Sequence, residues 1–351
     1  MEQFRVGIIG CGRPRQTEGA TGFGMSHFHA RGYAESPDAR IVALADLNED
    51  NARAFQAEHG GDRIYQDYRE MLREERLDIV SVCTWPQLHA EMVIAVAEAG
   101  VRAIHCEKPM APTWGEATRM ARACDERGVQ LTFNHQRRFS PQFRQARELL
   151  RSGAIGSLVR LEGSCSNLFD WGTHWFDMFF FYNEETPVEW VLGQIEPAGG
   201  RAIFNVPVEG QGLSYFRFRN GVHGLLTTSM EPTHPLSTRL VGTEGMIEAD
   251  AREAPLRLWG RGQSGWQAVA LDGDVTIAGT VARGVLDLID ALKSGREPEL
   301  SARRALGATE LIFATYESSR RRGRVDLPLA IDDSPFLARL AEGAVPPAAH
   351  G

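Results

Sequence analysis

Short apolar runs alternate with segments of helical periodicity through the first 135 residues of the chain. The runs that predict buried strands lie near 4–9, 40–45, 78–83, 101–106 and 129–134. The segments with the spacing of amphipathic helices lie between them, at 24–36, 48–58, 87–99 and 113–127. This alternation of strand and helix predicts right-handed βαβ units and a doubly wound parallel sheet.

The pattern changes after residue 135. Predicted helices and strands now mix, at 139–152 (helix), 157–165 (strand) and 171–182 (helix), followed by strands at 213–219, 222–229, 237–241 and 246–249 and helices at 280–294 and 302–319. Asn220-Gly221 predicts a tight hairpin between two of the strands. We therefore expect one domain at 1–135, an α+β domain at 136–340 and a flexible tail at 341–351.

Charge and composition exclude several classes of function. With 38 Lys and Arg against 46 Asp and Glu, the 351-residue chain has a net charge of −8, which argues against a nucleic-acid partner. No apolar run approaches the roughly 18 residues of a membrane span. The first strand begins at Phe4, so we expect no signal peptide and a cytoplasmic location. The five cysteines have no CxxC spacing, which gives no disulfide framework and no zinc motif.

A dinucleotide-binding turn is predicted where Gly10-Cys11-Gly12 follows the first strand. The first glycine of such a turn permits the tight bend, and the second lets the backbone approach a pyrophosphate. Arg15 stands where the third glycine is expected, and the helical pattern resumes only at Gly24. We interpret 13–23 as an insertion, with Gly24 in the third role.

The insertion at 13–23 contains Arg13 and Arg15 together with flexible glycines. We predict that it folds over the bound dinucleotide and becomes ordered on binding, since long loops beside a cofactor are often functional. The alternative is a surface excursion that does not contact the ligand.

Asp46 ends the second predicted strand, at the position that binds the adenine ribose hydroxyls in dinucleotide folds. A carboxylate there repels a 2′-phosphate, so the sequence favours NAD over NADP. The alternatives are that Asp46 caps the helix at 48–58, or that Arg13 or Arg15 binds a 2′-phosphate.

Two segments contain candidate catalytic groups. Glu107-Lys108-Pro109 follows the strand at 101–106, where a lysine of lowered pKa can share a proton with a substrate hydroxyl. Asp170 and His174 lie one helical turn apart, and such a histidine is suited to proton exchange with an alcohol. Together with Asp177 they could alternatively bind a metal. Since no further ligand cluster is evident, we expect no metal. A surface Glu-Lys pair and a structural histidine are the alternatives for these segments.

Five motifs in register resemble the Gfo/Idh/MocA oxidoreductases, the family of glucose–fructose oxidoreductase and inositol dehydrogenase. These motifs are found at 7–12, 81–89, 106–111, 136–141 and 170–177. The resemblance implies an α/β fold with an N-terminal Rossmann domain and a C-terminal α+β domain with a large, open, mostly antiparallel sheet. It also implies a nicotinamide cofactor and a homodimer or homotetramer built on that sheet.

The resemblance further implies roles for individual residues. Lys108 matches the lysine that touches cofactor ribose and substrate hydroxyl, His174 the catalytic acid/base, and Asp170 its carboxylate partner. The remaining cofactor contacts that we expect on this basis are Thr84, Trp85, Pro86, His89, Glu107 and Arg138.

We therefore expect an NAD(P)-dependent dehydrogenase or reductase of a sugar, sugar derivative or cyclitol. Similar folds occur in NAD-dependent glycosidases, which oxidise transiently and eliminate the aglycone without net NADH, and in NAD-sensing regulators. Such regulators usually lack the catalytic residues, whereas Lys108 and His174 are both present here.

Overall fold

The computed structural model describes residues 3–20, 22–229, 237–251 and 253–343. These residues divide into two compact units. The first unit is drawn from Met1–Ala111, Glu116–Phe139 and Thr276–Ala305, and the second from Pro112–Gly115, Ser140–Val275 and Leu306–Gly351. The tail predicted at 341–351 lies outside the described residues from residue 344 onward.

Strands and helices alternate through the N-terminal part of the chain. The strands are β1 (Phe4–Ile9), β2 (Ala39–Ala45), β3 (Arg63–Tyr65), β4 (Ile79–Val82), β5 (Ala103–Cys106) and β6 (Gln130–Phe133). The helices are α1 (Met25–Ala34), α2 (Glu49–His59), α3 (Tyr68–Glu74), α4 (Pro86–Glu98) and α5 (Trp114–Asp125). The apolar pattern predicts all of these except β3 and α3, which are too short to establish a period.

The C-terminal part mixes helices with a larger set of strands. The helices are α6 (Pro141–Arg151), α7 (Thr173–Tyr182), α8 (Ile277–Ser294), α9 (Ala302–Arg321) and α10 (Pro335–Ala341), with a 3-10 turn at Gln136–Phe139 and a π-helical turn at Leu168–Gly172. The strands are β7 (Leu158–Cys165), β8 (Val188–Ile203), β9 (Val206–Phe218), β10 (His223–Ser229), β11 (Ser237–Gly242), β12 (Met246–Ala249), β13 (Leu256–Trp259), β14 (Gln267–Ala268) and β15 (Val325–Asp326).

Six strands of the first unit form a parallel sheet among the described residues, in the order β3-β2-β1-β4-β5-β6. Every residue of β4 and β5 is buried, which is typical of central strands covered on both faces. Because the strands are parallel, the carboxyl ends of β1, β2, β4 and β5 lie at one edge of the sheet. Ligands bind at this edge in open α/β sheets.

Helix α8 belongs to the first unit, although its position in the chain falls within the predicted second domain. Its Val285 and Leu288 are buried in one cluster with Tyr33 of α1 and Phe55 of α2. At Gly32 of α1, a Cβ would lie 2.8 Å from Val285 Cβ, so the two helices pack closely. The amphipathic pattern of α8 predicts that one face is buried, but it does not specify the elements that cover that face.

The second unit is built on a sheet in which the described residues contribute nine strands, in the order β14-β13-β12-β11-β7-β10-β9-β8-β15. Strands β7 and β10 pair in parallel, and the other neighbouring strands of this sheet pair antiparallel. The Asn220-Gly221 turn joins β9 to β10 as predicted, with Gly221 at φ +89°. The predicted fold class is confirmed. Within the described residues, no helix is long and apolar enough to cross a membrane.

Candidate active site

The turn after β1 contains two glycines that are needed for different reasons. At Gly10 (φ +85°), a Cβ would lie 2.9 Å from Thr84 Cγ2 and 3.0 Å from the Cys83 carbonyl group, so close packing requires glycine. At Gly12 (φ +55°), a Cβ would meet no atom of the described residues within 4 Å. Gly12 therefore borders open space at the edge of the sheet where a dinucleotide pyrophosphate is expected.

Helix α1 begins directly after Gly24, which is its N-cap residue. Gly24 has φ +64°, and a Cβ there would lie 2.6 Å from the Arg13 carbonyl oxygen. Both the backbone conformation and the close approach require glycine. The first turn of α1 contains no acidic residue. Its backbone N–H groups are therefore suited to an anionic ligand.

The insertion at 13–23 is exposed over most of its described residues. Its Arg13 is half-buried and donates from Nε to Asn51 Oδ1 of α2 (2.8 Å) and from Nη1 to the Glu18 carbonyl oxygen (3.0 Å). Arg15 lies over the Phe23 ring, 4.7 Å from its centroid. The two arginines therefore have protein partners within the insertion or beside it.

Asp46 connects the glycine turn to the start of α2. Its Oδ2 accepts a hydrogen bond from the Gly12 N–H (3.0 Å), and its Oδ1 accepts one from the Asn48 N–H (2.8 Å). The capping of α2 is done by Asn48, whose side chain accepts from the Asp50 N–H. The carboxylate of Asp46 thus lies beside the glycine turn, where its remaining lone pairs can accept from ribose hydroxyls. The glycine turn, the start of α1 and Asp46 together fit an NAD molecule.

Glu107 is a buried carboxylate that supports the turn after β5. Its Oε1 accepts from His29 Nε2 (2.9 Å) and Asn134 Nδ2 (2.7 Å), and its Oε2 accepts from the Lys108 N–H (3.2 Å). Burial acts to raise the pKa of Glu107, but the hydrogen bonds from His29 and Asn134 and the charge of Lys108 outweigh it, so this pKa is lowered. Glu107 therefore stays ionised and is occupied by protein partners.

Lys108 stands at the carboxyl edge of the first unit's sheet and is half-buried. The Lys108–Pro109 peptide bond is cis. Because the main chain of Lys108 is held by Glu107, its side chain starts from a fixed point beside the ligand edge.

His29 of α1 is a supporting residue that sequence reasoning missed. It is fully buried, and its Nδ1 lies 3.1 Å from Ser81 Oγ, which is also 2.9 Å from the Tyr33 hydroxyl. Through Glu107, this network connects α1 and β4 to the Lys108 turn. The partners of His29 are distant in sequence, so only a buried position on a predicted helix could have indicated its role.

The segment after β4 contains Thr84, Trp85, Pro86 and His89, all expected to line the cofactor. His89 is fully buried; its Nε2 lies 3.1 Å from the Thr84 carbonyl oxygen, and its Nδ1 lies 3.0 Å from the Pro109 carbonyl oxygen. Burial lowers the pKa of His89, while these carbonyl groups act in the opposite direction. Both ring nitrogens therefore lie within hydrogen-bond distance of main-chain carbonyl oxygens, one in the Thr84 loop and one in the Pro109 loop. Trp85 precedes α4 as its N-cap residue, and Pro86 is its first residue.

Arg138, an expected cofactor contact, forms an ion pair within the first unit. Its side chain is fully buried, and its Nη1 lies 3.1 Å from Glu299 Oε1. This ion pair joins the 3-10 turn to the segment that follows α8. The partner lies 161 residues away, so no local sequence pattern indicates the pair.

Asp170 and His174 belong to the second unit and lie on two different kinds of helix. Asp170 is on the π-helical turn, with its N–H donated to Asn167 Oδ1 (2.6 Å), whereas His174 and Asp177 are on α7. The regular α-helical face predicted for the three residues is therefore interrupted before Thr173. All three are buried, and within the described part of the chain they do not form a group with the geometry of a metal site.

Glu209 of β9 supports the π-helical turn and was also missed from the sequence. Its Oε1 accepts from the Leu168 N–H (2.5 Å) and the Thr228 hydroxyl (3.2 Å), and its Oε2 accepts from the Tyr316 hydroxyl (2.8 Å). Burial raises the pKa of Glu209, although these hydrogen bonds act against the shift. The start of the turn that contains Asp170 is thus fixed from within the second unit.

Comparison with known proteins identifies two matching family models. Residues 4–135 match an oxidoreductase family with an NAD-binding Rossmann fold, and residues 166–248 match the Gfo/Idh/MocA C-terminal domain. D-apiose dehydrogenase of Paraburkholderia graminis is 27% identical over 98% of this chain and 95% of its own length. Myo-inositol 2-dehydrogenase of Thermotoga maritima is 26% identical over 70% of this chain and 75% of its own length.

Solved structures share the fold over most of the chain. Levoglucosan dehydrogenase in complex with NADH is 21% identical, with a TM-score of 0.80 over 94% of this chain and 100% of that chain. The WlbA dehydrogenase of Bordetella pertussis, in complex with NADH and UDP-GlcNAcA, is 23% identical, with a TM-score of 0.76 over 94% and 100%. At these identities the likeness establishes the fold alone. Since the two family models together match more than half of the chain, it belongs to the Gfo/Idh/MocA family of NAD-binding oxidoreductases.

Proposed function

We propose that this chain is an NAD-dependent dehydrogenase or reductase that transfers a hydride between the nicotinamide and a hydroxyl-bearing carbon of a sugar, sugar derivative or cyclitol. The observation that carries the proposal is the Glu107-Lys108 turn at the carboxyl edge of the dinucleotide sheet. A buried carboxylate with three polar contacts is a costly feature for a surface turn, and here it fixes the main chain of Lys108. The names of two relatives, D-apiose dehydrogenase and myo-inositol 2-dehydrogenase, support a sugar or cyclitol as the substrate class.

NAD would be held by the glycine turn, the first turn of α1 and Asp46. When bound, its nicotinamide supplies the hydride acceptor for oxidation. Gly12 leaves room for the pyrophosphate, and Asp46 accepts from the adenine ribose hydroxyls while disfavouring a 2′-phosphate. This charge preference is the basis for proposing NAD over NADP. Thr84, Trp85 and Pro86 remain proposed cofactor contacts, whereas His89, Glu107 and Arg138 are proposed to position their surroundings.

The proton is proposed to move through His174. Its imidazole accepts the hydroxyl proton during oxidation and returns it during reduction, and Asp170 stabilises the imidazolium. The Lys108 ammonium stabilises the negative charge that develops on the substrate oxygen. Proton transfer by a positioned side chain contributes about 10²–10⁴ in rate, so each role is measurable by substitution.

One face of the second unit's sheet is proposed as a self-association surface. Leu192 and Leu213 are 47% and 41% exposed. The strand register places them on the same face as Tyr215 and His223, whose rings are stacked. Exposed apolar residues grouped on a sheet face favour burial against a second copy.

The test is NADH formation from NAD⁺ over a panel of monosaccharides and cyclitols, followed by variants assayed on the best substrate. Lys108→Met and His174→Asn should each lower turnover by about 10²–10⁴ while changing cofactor affinity less than tenfold. Lys293→Met removes an exposed lysine that pairs with Asp38, and it should leave turnover unchanged. Near-normal turnover in His174→Asn would exclude it as the acid/base.

A further inference from the structure

Three side chains of metal-ligand type meet where α1 begins and α2 ends, within the first unit. His27 is in the first turn of α1, and Glu58 and His59 are the last two residues of α2. His27 Nδ1 lies 2.8 Å from His59 Nε2. Glu58 Oε2 lies 3.4 Å from His27 Nδ1, and Glu58 Oε1 lies 3.4 Å from His59 Nε2. Among the described residues, this is the group whose potential ligand atoms all lie within 4.8 Å of one another.

These separations are close to those around a tetrahedral ion. Zinc binds imidazole nitrogen and carboxylate oxygen at about 2.0–2.2 Å, so neighbouring ligand atoms of a tetrahedral site are about 3.4 Å apart. Each oxygen of Glu58 lies at this distance from one histidine nitrogen, Oε2 from His27 Nδ1 and Oε1 from His59 Nε2, so the carboxylate has to turn to present one oxygen to both. The two nitrogens of His27 and His59 need to separate by about 0.5 Å to reach the tetrahedral edge. Metal binding therefore requires a small rotation of one or both rings.

The surroundings fix the two imidazoles and leave one side open. The side chains of His27 and His59 are 6% and 8% exposed, whereas Glu58 is 47% exposed. Both rings pack against Phe55, with centroids 4.9 and 4.7 Å from its ring. The exposed side, where Glu58 lies, gives an ion and a water molecule access.

We propose that His27, Glu58 and His59 form a binding site for a divalent first-row transition-metal ion, with Zn²⁺ as the best match. Two imidazoles and one carboxylate are a ligand set that zinc uses, with water in the fourth position. The sequence predicted no metal because His27 is separated from the other two ligands by thirty residues and a strand, at no known metal-motif spacing. Only the packing of α1 against α2 brings them together.

The ion's role follows from the position of its ligands. His27 follows Gly24, which ends the insertion and begins α1. An ion shared by the start of α1 and the end of α2 would therefore fix the helix end that borders the glycine turn. This role is structural and independent of the proposed hydride transfer, so metal binding is measurable without any substrate.

The experiment uses tag-free full-length protein, stripped with a chelator and titrated with Co²⁺ as a spectroscopic probe. Tetrahedral Co²⁺ bound to nitrogen and oxygen ligands absorbs strongly in the visible range, and we expect these bands to saturate at one equivalent. Zn²⁺ should displace Co²⁺ and abolish the bands. Thermal unfolding should move to higher temperature in Zn²⁺, because an ion that binds only the folded state stabilises it.

Variants locate the site. Glu58→Gln and His59→Asn keep side chains of similar shape, and each should weaken Co²⁺ binding at least tenfold. Glu49→Gln is the matched control, because Glu49 is on the same helix and pairs with Arg53 at the surface, and it should bind like wild type. Absence of tetrahedral bands in the wild type overturns the proposal. So does binding that is unchanged in both Glu58→Gln and His59→Asn, which would indicate an adventitious surface site.

Discussion

Substitution of Gly12 distinguishes an effect on cofactor binding from an effect on the stability of the fold. Gly12 and Gly128 both have positive φ, +55° and +66°, and at each of them a Cβ would have no neighbour within 4 Å in the described part of the chain. Alanine should therefore cost the same backbone strain at the two positions, about 1–2 kcal/mol. Gly128 is in the turn after α5, and Gly12 is in the turn where the pyrophosphate is expected. Only Gly12→Ala should affect cofactor binding.

The magnitude follows from the contact that the new methyl group displaces. A hydrogen bond to a charged group contributes about 1.5–3 kcal/mol, so the loss of one phosphate contact should raise the Kd for NAD about 10- to 100-fold. Calorimetric titration with NAD⁺ and thermal unfolding measure the two effects on the same samples. We expect similar, small decreases in Tm for Gly12→Ala and Gly128→Ala, with weakened binding in Gly12→Ala alone.

Gly24→Ala provides a contrast, because its Cβ would lie 2.6 Å from the Arg13 carbonyl oxygen. This variant should lower Tm more than either of the others. If Gly12→Ala binds NAD within threefold of the wild type, the assignment of the glycine turn to the pyrophosphate is wrong.

Four further predictions concern Asp46, the insertion at 13–23, Glu209 and Leu213. Asp46→Ser should weaken NAD about tenfold, through loss of a charged acceptor, and relieve the repulsion of NADP; a wild type that clearly prefers NADP would contradict this. Replacing 13–23 with a two-residue turn that contains glycine should weaken NAD at least tenfold, about 1.4 kcal/mol, and unchanged affinity would make the insertion a surface excursion. The pKa of Glu209 is raised in the folded state, so its contribution to stability is present below the ordinary glutamate value of 4.5 and is lost as pH rises through the folded pKa. Relative to wild type, Glu209→Gln should therefore gain unfolding free energy with rising pH in denaturant titrations, and a constant difference would refute the shift. Leu213→Arg should convert an oligomer into a monomer in light scattering, and a monomeric wild type at micromolar concentration would exclude self-association.

The parts of the fold that depend on local pattern could be predicted from the sequence. β1 lies at the predicted 4–9, and β12 at the predicted 246–249. Asn220-Gly221 closes the hairpin between β9 and β10. In each case the determining interactions lie within a few residues of one another, so that periodicity and turn chemistry are sufficient.

The parts that depend on distant partners could not be predicted. Glu107 is held by His29, 78 residues before it, and no spacing rule relates the two. Helix α8 packs on the first unit because Val285 fits against Gly32, a match of shapes that an apolar pattern does not encode. The π-helical turn before Thr173 also changes the alignment of Asp170 with α7, and the sequence pattern of a regular helix gives no sign of it.

The most direct test of the proposed function is the stoichiometry of NADH to oxidised product. With the best substrate of the panel, full-length protein and excess NAD⁺, the NADH absorbance and the amount of ketone product are measured in one reaction. We predict one NADH for each ketone formed, with both lost in His174→Asn. Cleavage of a glycoside without accumulation of NADH, or binding of NAD without turnover of any sugar or cyclitol in the panel, would contradict the assignment as a dehydrogenase.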